Sequence, residues 1–167
     1  MKEVEITLEM IDTARTKAIE LGTLRNSISK GRGNLIGFIG EEVAQTCLGG
    51  TVANTYDYDI VLSDGSTVDV KTKSTSVKPL SHYDCSVSAY NTKQKCDAYA
   101  FVRVKHDLSI GWYLGIMQKE TYMDTAEMMR KGEIDPSNGF KIKADCYNVK
   151  ISQLQDKQCT HKKDHQS

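Results

Sequence analysis

The feature that most constrains what this chain can fold into is a stretch in which the character of the residues alternates on both sides of a single turn. It runs from Tyr56 to Lys73 and reads YDYDIVLSDGSTVDVKTK, with the turn sequence SDGS in the middle. Alternation on both sides of such a turn is typical of two antiparallel β-strands joined by a tight loop. The stretch therefore predicts a β-hairpin that could bring together two of its acidic residues and a lysine, namely Asp59, Asp69 and Lys71.

The length of the loop decides which face of the hairpin each of these side chains occupies. A two-residue loop places Asp59 opposite Val70, so that the carboxylates of Asp59 and Asp69 point to opposite faces of the sheet. A three-residue loop, Ser63 to Gly65 with the glycine in the left-handed conformation, places Asp59 opposite Asp69. Only the second register puts two carboxylates and the ammonium of Lys71 on one face.

Two carboxylates and an ammonium on one face suit a divalent metal ion. Mg²⁺ prefers carboxylate oxygens at roughly 2.0–2.1 Å and leaves positions for water and substrate phosphate. The bound ion neutralises charge on a phosphate and lowers the pKa of an attacking water, and a nearby lysine can orient that water. The alternative without chemistry is an exposed hairpin whose solvated cross-strand pair contributes about 0.2–1 kcal/mol to stability.

The order of these residues resembles the signature of the PD-(D/E)xK nucleases, the restriction-endonuclease-like superfamily. Asp59 matches the metal-binding aspartate of that signature, and Asp69-Val70-Lys71 matches its (D/E)xK part. Upstream, the segment GEEVAQTCL is similar to the helix that often precedes the hairpin in the family, with Glu41 at the position of its acidic residue. This sequence departs from the pattern at Tyr58, where the nominal motif has proline.

The resemblance implies a Mg²⁺- or Mn²⁺-dependent DNA endonuclease that hydrolyses phosphodiester bonds. It assigns metal binding to the carboxylates of Asp59 and Asp69, with Glu41 completing or supporting the coordination. The main-chain carbonyl of Val70 is a further candidate ligand. Lys71 is expected to position or activate the attacking water.

Two neighbouring acids, Glu42 and Asp57, are alternatives to this assignment. Glu41 and Glu42 both fall near the boundary of the apolar stripe of their predicted helix, so either one can face solvent. Only the resemblance favours Glu41. Asp57 lies opposite Lys71 in the three-residue register and is a less favoured participant.

Positive charge flanks the proposed site, although the formal net charge of the chain is zero. A zero net charge argues against a polycation that coats nucleic acid, but it is compatible with a basic groove. An ordinary solvated surface explains the same charges equally well. The candidate contacts to the phosphate backbone of DNA are Arg25, Lys30, Arg32, Lys73 and Lys78.

Periodicity along the chain predicts a single α/β (α+β) domain over residues 1–155, followed by a polar, frayed tail over residues 156–167. Helices are predicted over residues 7–21, 34–48 and 119–131. Besides the hairpin, strands are predicted over residues 51–54, 83–90, 98–104, 111–117 and, as an edge strand, 145–149. The resemblance implies a restriction-endonuclease-like fold, in which a mixed central sheet has the first two helices on one face and the third near the other.

Composition limits the remaining classes. The 167 residues are 39% hydrophobic, which is enough for one globular core. No apolar run approaches ~18 residues and the first residues lack the apolar region of a secretory signal, so we expect a cytoplasmic protein with no membrane partner. Five cysteines without a CxxC pair favour reduced thiols.

Two classes of function stay open. The first is an endonuclease acting on duplex or branched DNA, for which a homodimer is plausible because cutting two strands needs two sites. Restriction, junction-resolving and repair enzymes would share this core. The second is a catalytically inactive module that keeps the nuclease-like fold and binds nucleic acid or a partner protein. Zero net charge favours the second class, whereas the intact set of three acids and a lysine favours the first.

Overall fold

A six-stranded mixed sheet forms the centre of the computed structural model, which describes residues 1–25 and 32–155. Within these residues the strands, in chain order, are β1 (Lys2–Glu5), β2 (Thr51–Val52), β3 (Ile60–Val61), β4 (Thr67–Thr75), β5 (Asp84–Ser88), β6 (Ala98–Lys105), β7 (Ile110–Gln118), β8 (Glu127–Met129) and β9 (Cys146–Lys150). The α-helices of the same residues are α1 (Leu8–Arg25), α2 (Arg32–Leu48) and α3 (Lys119–Thr125). The predicted tail, residues 156–167, lies outside the described part of the chain.

The strand order of the central sheet is β1-β7-β6-β4-β3-β2. Neighbouring strands are antiparallel except β4 and β6, which are parallel. A parallel pair needs a crossover connection, and here the crossover contains β5 and a short 3-10 helix, Ala89–Lys93. The strand β5 belongs to a second, antiparallel sheet of order β5-β9-β8. The predicted mixed α+β class is therefore confirmed.

The two faces of the central sheet carry separate hydrophobic cores. On one face, α1 and α2 cover Ala100 and Val102 of β6, which pack with Val43 of α2. On the other face, Tyr99 and Phe101 of the same strand pack with α3 and the second sheet. This alternation follows from the two-residue period of a strand. The first two helices thus share a face and the third lies on the other, as predicted.

Helix α2 approaches β4 most closely at Gly40. A Cβ atom at that position would lie 1.8 Å from Oγ1 of Thr72, so only glycine fits without displacement. The helix ends at Leu48, and Gly49 after it has a left-handed φ of 72° and donates its N–H to the carbonyl of Gln45 at 2.8 Å. Because Gly40 lets α2 lie this close to β4, the residue after it, Glu41, lies beside the central sheet.

Two predicted elements are wrong. The third helix ends at Thr125 instead of residue 131, because Ala126 is extended and Glu127–Met129 forms β8 by pairing with β9. Apolar residues at helical spacing in so short a segment do not exclude a strand, and tertiary pairing decides. The predicted edge strand over 145–149 is observed as Cys146–Lys150, but it is the central strand of the second sheet.

The cysteine prediction is confirmed where the structure describes it. Cys47, Cys85 and Cys96 are buried free thiols, and Cys146 is a half-buried one. Cys159 falls outside the described residues. None of the helices in the described ranges is both long and apolar enough to cross a membrane.

Candidate active site

The hairpin adopts the three-residue register. Ile60 pairs with Val68, and Gly65 has the left-handed φ of 85° that the three-residue loop requires. The strand ladder ends at Ile60, and Asp59, just before it, lies close enough to Asp69 for its carboxylate to raise the pKa of Asp69. The predicted three-residue loop is therefore confirmed, and the carboxyl groups of Asp59 and Asp69 lie close together.

Asp59 lies just before β3, and its carboxylate takes the place of a strand partner for β4. Its Oδ2 accepts a hydrogen bond from the backbone N–H of Val70 at 2.7 Å. Its own backbone N–H donates to the carbonyl of Val68 at 2.9 Å. Because the N–H and C=O of one strand residue point to the same side, the carbonyl of Val70 also points to the side where Asp59 lies.

Asp69 is buried on β4, with 4% of its surface exposed. The Nζ of Lys71, two residues along the same strand face, lies 2.6 Å from its Oδ2. Burial raises the pKa of Asp69 to about 7; the Lys71 charge opposes this shift and the Asp59 carboxylate adds to it. One lysine therefore neutralises only part of the negative charge gathered here.

Lys71 is oriented by a residue that the sequence analysis did not single out. Its Nζ donates to Oε1 of Gln94 at 3.2 Å, and the amide of Gln94 donates in turn to the carbonyl of Tyr56 at 2.7 Å. Gln94 follows the 3-10 helix of the crossover connection, 23 residues from Lys71. No local pattern marks it, because only the crossover connection brings it to β4.

Glu41 of α2 is the third carboxylate of the cluster. It is 7% exposed, and burial raises its pKa to about 9, with a further contribution from the charge of Asp59 and a hydrogen bond to it. Among the described residues, its buried Oε2 has no hydrogen-bond partner. Glu42 instead pairs with Lys17 at 3.5 Å. The structure thus places Glu41, and not Glu42, with the two aspartates.

Asp57 does not lie opposite Lys71, as the three-residue register predicted. The ladder between β3 and β4 stops at Ile60, and Oδ1 of Asp57 accepts the backbone N–H of Lys95 at 3.0 Å. The pairing of Asp57 with Lys71 is therefore not observed, because the first strand of the hairpin is too short to carry the register that far.

The cluster fits a hard divalent cation by charge and by donor type. Two carboxylates held on one side of β4, a main-chain carbonyl directed to the same side and open positions for water make up the kind of oxygen set that Mg²⁺ takes. The unpartnered oxygen of Glu41 and the raised pKa values of Glu41 and Asp69 show that negative charge on these groups is unfavourable here, and a bound cation would stabilise it. No three His, Cys, Asp or Glu side chains of the described ranges stand in a preformed metal-binding arrangement.

The site opens to solvent through a cleft of about 500 Å³. This cleft is lined by Glu41 and Asp59 and by polar groups of the surrounding loops, including Asn54, Asn91 and Gln94. A cleft of this size lies within the usual range of ligand sites. Glu41 and Asp59 therefore line a cleft that is open to solvent, whereas the buried Asp69 lies behind them and does not line it.

The predicted phosphate contacts fall in different places. Lys73 follows Lys71 on the same face of β4, and its Nζ donates to Oγ of Ser86 at 3.0 Å. Lys78 is exposed in the loop after β4. Lys30 lies outside the described residues, as do the side chains of Arg25 and Arg32.

No protein-family model matches this chain, and no curated protein matches it. What the site does is therefore argued from its own geometry and chemistry.

Proposed function

We propose that this protein is a Mg²⁺- or Mn²⁺-dependent DNA endonuclease with a PD-(D/E)xK-type site and a restriction-endonuclease-like fold. The observation that carries the proposal is the proximity of three carboxyl groups from a helix and a hairpin, those of Glu41, Asp59 and Asp69, with the ammonium of Lys71 paired to Asp69. Buried carboxylates with raised pKa values are unfavourable for stability alone, and such groups concentrate at functional sites.

The order of the elements supports the proposed fold. Helix α2 precedes the hairpin and packs against β4, and the acidic residue of α2 lies beside the two hairpin aspartates. After β4 the chain crosses over to the parallel strand β6. A helix that precedes the hairpin and carries an acidic residue is what the resemblance in the motif implies.

Each residue has a defined task in the proposed reaction. Asp59, Asp69 and the carbonyl of Val70 would hold the metal, with Glu41 completing or supporting its coordination. The metal, when bound, supplies a Lewis acid for the phosphate and lowers the pKa of the attacking water. Lys71, held by Gln94, would orient that water or stabilise the negative charge that develops on the phosphate oxygens. A bond forms from the water oxygen to phosphorus, and the bond to the leaving sugar oxygen breaks.

The proposal is tested with plasmid, branched and single-stranded DNA in the presence of Mg²⁺ or Mn²⁺. We expect cleavage that EDTA abolishes. The variants Asp69→Asn and Glu41→Gln should lower the rate by about 100-fold or more, since each removes charge where the metal and phosphate meet.

Glu42→Gln is the matched control for Glu41→Gln, because it makes the same change one residue further along α2 at a side chain paired with Lys17. It should leave the rate within about twofold. Metal-dependent cleavage that persists in Asp69→Ala, or equal loss in both glutamate variants, would exclude this site.

A second candidate is favoured by the lack of a preformed three-ligand group among the described residues. It is a nuclease-fold module that binds nucleic acid or a partner protein without cutting. Its signature would be binding that neither a chelator nor the pair Asp59→Asn and Asp69→Asn weakens, together with no cleavage of any of the three DNA substrates.

A further inference from the structure

A second cleft, here called the side cleft, has a volume of about 680 Å³ and lies between the central sheet, the second sheet and the loop before β9. Its lining includes the cations of Lys73 and Arg103, the rings of Tyr83 and Phe140 and the carboxyl groups of Asp84 and Asp135. A narrower cleft of about 160 Å³ shares Lys73 and Arg103 with it and is also lined by Lys71. Lys73 and Arg103 therefore line both clefts, and the narrower one reaches the lysine of the proposed active site.

Two cations stand next to each other at the junction of these clefts. Lys73 and Arg103 are register partners on the parallel strands β4 and β6, so their side chains leave the same face of the sheet. Like charges in this position repel one another unless an anion lies nearby. Lys73 is an exposed residue overall, yet desolvation at its ammonium and the charge of Arg103 lower its pKa.

Neutral oxygens, and not carboxylates, satisfy these two cations. Arg103 donates to the main-chain carbonyl of Asp84 at 2.8 Å, and Lys73 donates to the hydroxyl of Ser86 at 3.0 Å. The carboxylate of Asp84 is engaged by Lys150 at 2.7 Å. Within residues 1–25 and 32–155, neither cation makes an ion pair with a carboxylate. The junction is therefore suited to an external anion.

Aromatic rings line the side cleft beyond the two cations. Phe140 is 52% exposed although it is a large apolar residue. Tyr83 lies under the Arg103 guanidinium at 5.9 Å and meets the ring of His82 edge to face at 5.1 Å. Aromatic faces beside a cationic groove are the combination on which unpaired bases stack in proteins that bind single strands.

We infer that the side cleft binds one unpaired nucleotide of the strand that is cut, with its phosphate between Lys73 and Arg103 and its base against Phe140 or Tyr83. The inference rests on the proposed function and names its substrate as DNA with an unpaired nucleotide next to the scissile bond. Lys71 and Lys73 are two strand residues apart, roughly 6.6–6.8 Å, which is a step of about one nucleotide. A base inside a duplex is stacked and does not reach such a cleft without leaving the helix.

The test compares binding of a fluorescent ten-nucleotide single strand with binding of the same sequence as a blunt duplex. It uses full-length protein carrying Asp69→Asn, with Ca²⁺ in place of Mg²⁺, so that cleavage does not interfere. Phe140→Ala and Arg103→Gln should each weaken single-strand binding by about fivefold or more, since stacking on one aromatic contributes at least that much. Duplex binding should change by less than about twofold.

The salt dependence of binding distinguishes the proposed phosphate contact of Arg103 from the proposed stacking contact of Phe140. Arg103→Gln should reduce the slope of log K against log salt by about 0.7, the value for one phosphate contact of a single strand. Phe140→Ala should leave the slope unchanged. Lys105→Gln is the charge control: it lies two residues along β6, outside the side cleft, and its ammonium is 3.7 Å from Asp107. Arg103→Lys should retain most of the binding, and Phe140 is too exposed for its loss to impair folding.

Each outcome decides the inference. Unchanged single-strand binding in both variants, or an equal loss on single strand and duplex, overturns it. Binding of thymidine monophosphate that depends on Arg103 while the single strand is unaffected would assign the cleft to a free nucleotide and also overturn it. If Asp69→Asn abolishes cleavage but the cleft variants behave as wild type, the nuclease proposal stands without the side cleft. Single-strand binding that needs Arg103 and Phe140 in a protein that cuts nothing supports the side cleft and removes the nuclease proposal.

Discussion

At the scale of single residues, Glu41 and Asp69 hold protons that carboxyl groups usually lose below neutral pH. Burial is the main cause in both, and the carboxylate of Asp59 adds to it. The pKa of Glu41 rises from 4.5 to about 9 and that of Asp69 from 3.8 to about 7. The metal-free site is therefore partly protonated at neutral pH, and a metal ion must displace those protons to bind.

These shifts predict how the stability of the metal-free protein depends on pH. In the unfolded chain both carboxyls have their ordinary pKa values, so the folded state binds more protons from roughly pH 4 up to about 9. The stability that these protons contribute is fully present below the unfolded values. It is lost as the pH rises through about 7 and then about 9.

Urea unfolding in EDTA at pH 6 and pH 9 measures this effect. We expect a lower free energy of unfolding at pH 9, a smaller difference in Glu41→Gln, and partial recovery on adding Mg²⁺ at pH 9, because a ligand that binds only the folded state stabilises it. The same pH dependence in wild type and Glu41→Gln would contradict the assignment of the raised pKa.

At the scale of elements, the position of α2 decides whether Glu41 reaches the hairpin. Gly40 permits the close approach, since a Cβ there would lie 1.8 Å from Oγ1 of Thr72. Gly40→Ala should therefore push α2 away from β4, lower the free energy of unfolding by about 1–3 kcal/mol and reduce cleavage. Chemical denaturation and the cleavage assay measure the two effects.

Gly37→Ala is the matched control on the same helix. A Cβ at Gly37 would meet nothing within 4 Å. Because alanine is the better helix former, this variant should be stabilised by up to about 1 kcal/mol with unchanged cleavage. Equal destabilisation in the two variants would mean that contact with β4 is not what selects glycine at position 40.

Local sequence determines the elements of the candidate site better than it determines their neighbours. The turn sequence and the requirement that Asp59 face Asp69 together select the observed hairpin register. Gln94 and Arg103 could not be placed, because the crossover connection and the pairing of β4 with β6 bring them to the site from far along the chain. The segment Glu127–Met129 was mistaken for helix because its pairing partner, β9, lies well downstream.

At the scale of the whole molecule, the second sheet is tied to the central sheet through Tyr122 of α3. This tyrosine is fully buried between Tyr99 and Phe101, with ring centroids at 5.2 and 5.7 Å. Its hydroxyl lies 2.9 Å from the carbonyls of Cys85 and Tyr147, one on each of β5 and β9. The side cleft therefore depends on the same core that supports β6.

Tyr122→Phe tests whether the two sheets unfold together. The loss of a buried hydroxyl that donates to a strand carbonyl should lower the free energy of unfolding by about 1 kcal/mol. The fluorescence of the single Trp112, buried in the same core, and far-UV circular dichroism should report one coincident transition. Two separate transitions would show that the second sheet is a unit of its own.

Because the three-residue loop sets the register of the two strands, the chemistry of the hairpin depends on the length of the loop as well as on the residue types. Removing one residue between Leu62 and Ser66 would keep every acid and the lysine, yet it would turn Asp59 to the opposite face from Asp69. Chains that share the acids and the lysine but differ by one loop residue would therefore contain the motif residues without bringing them together on one face of the sheet. For this hairpin, counting the residues between the aspartates is as informative as identifying them.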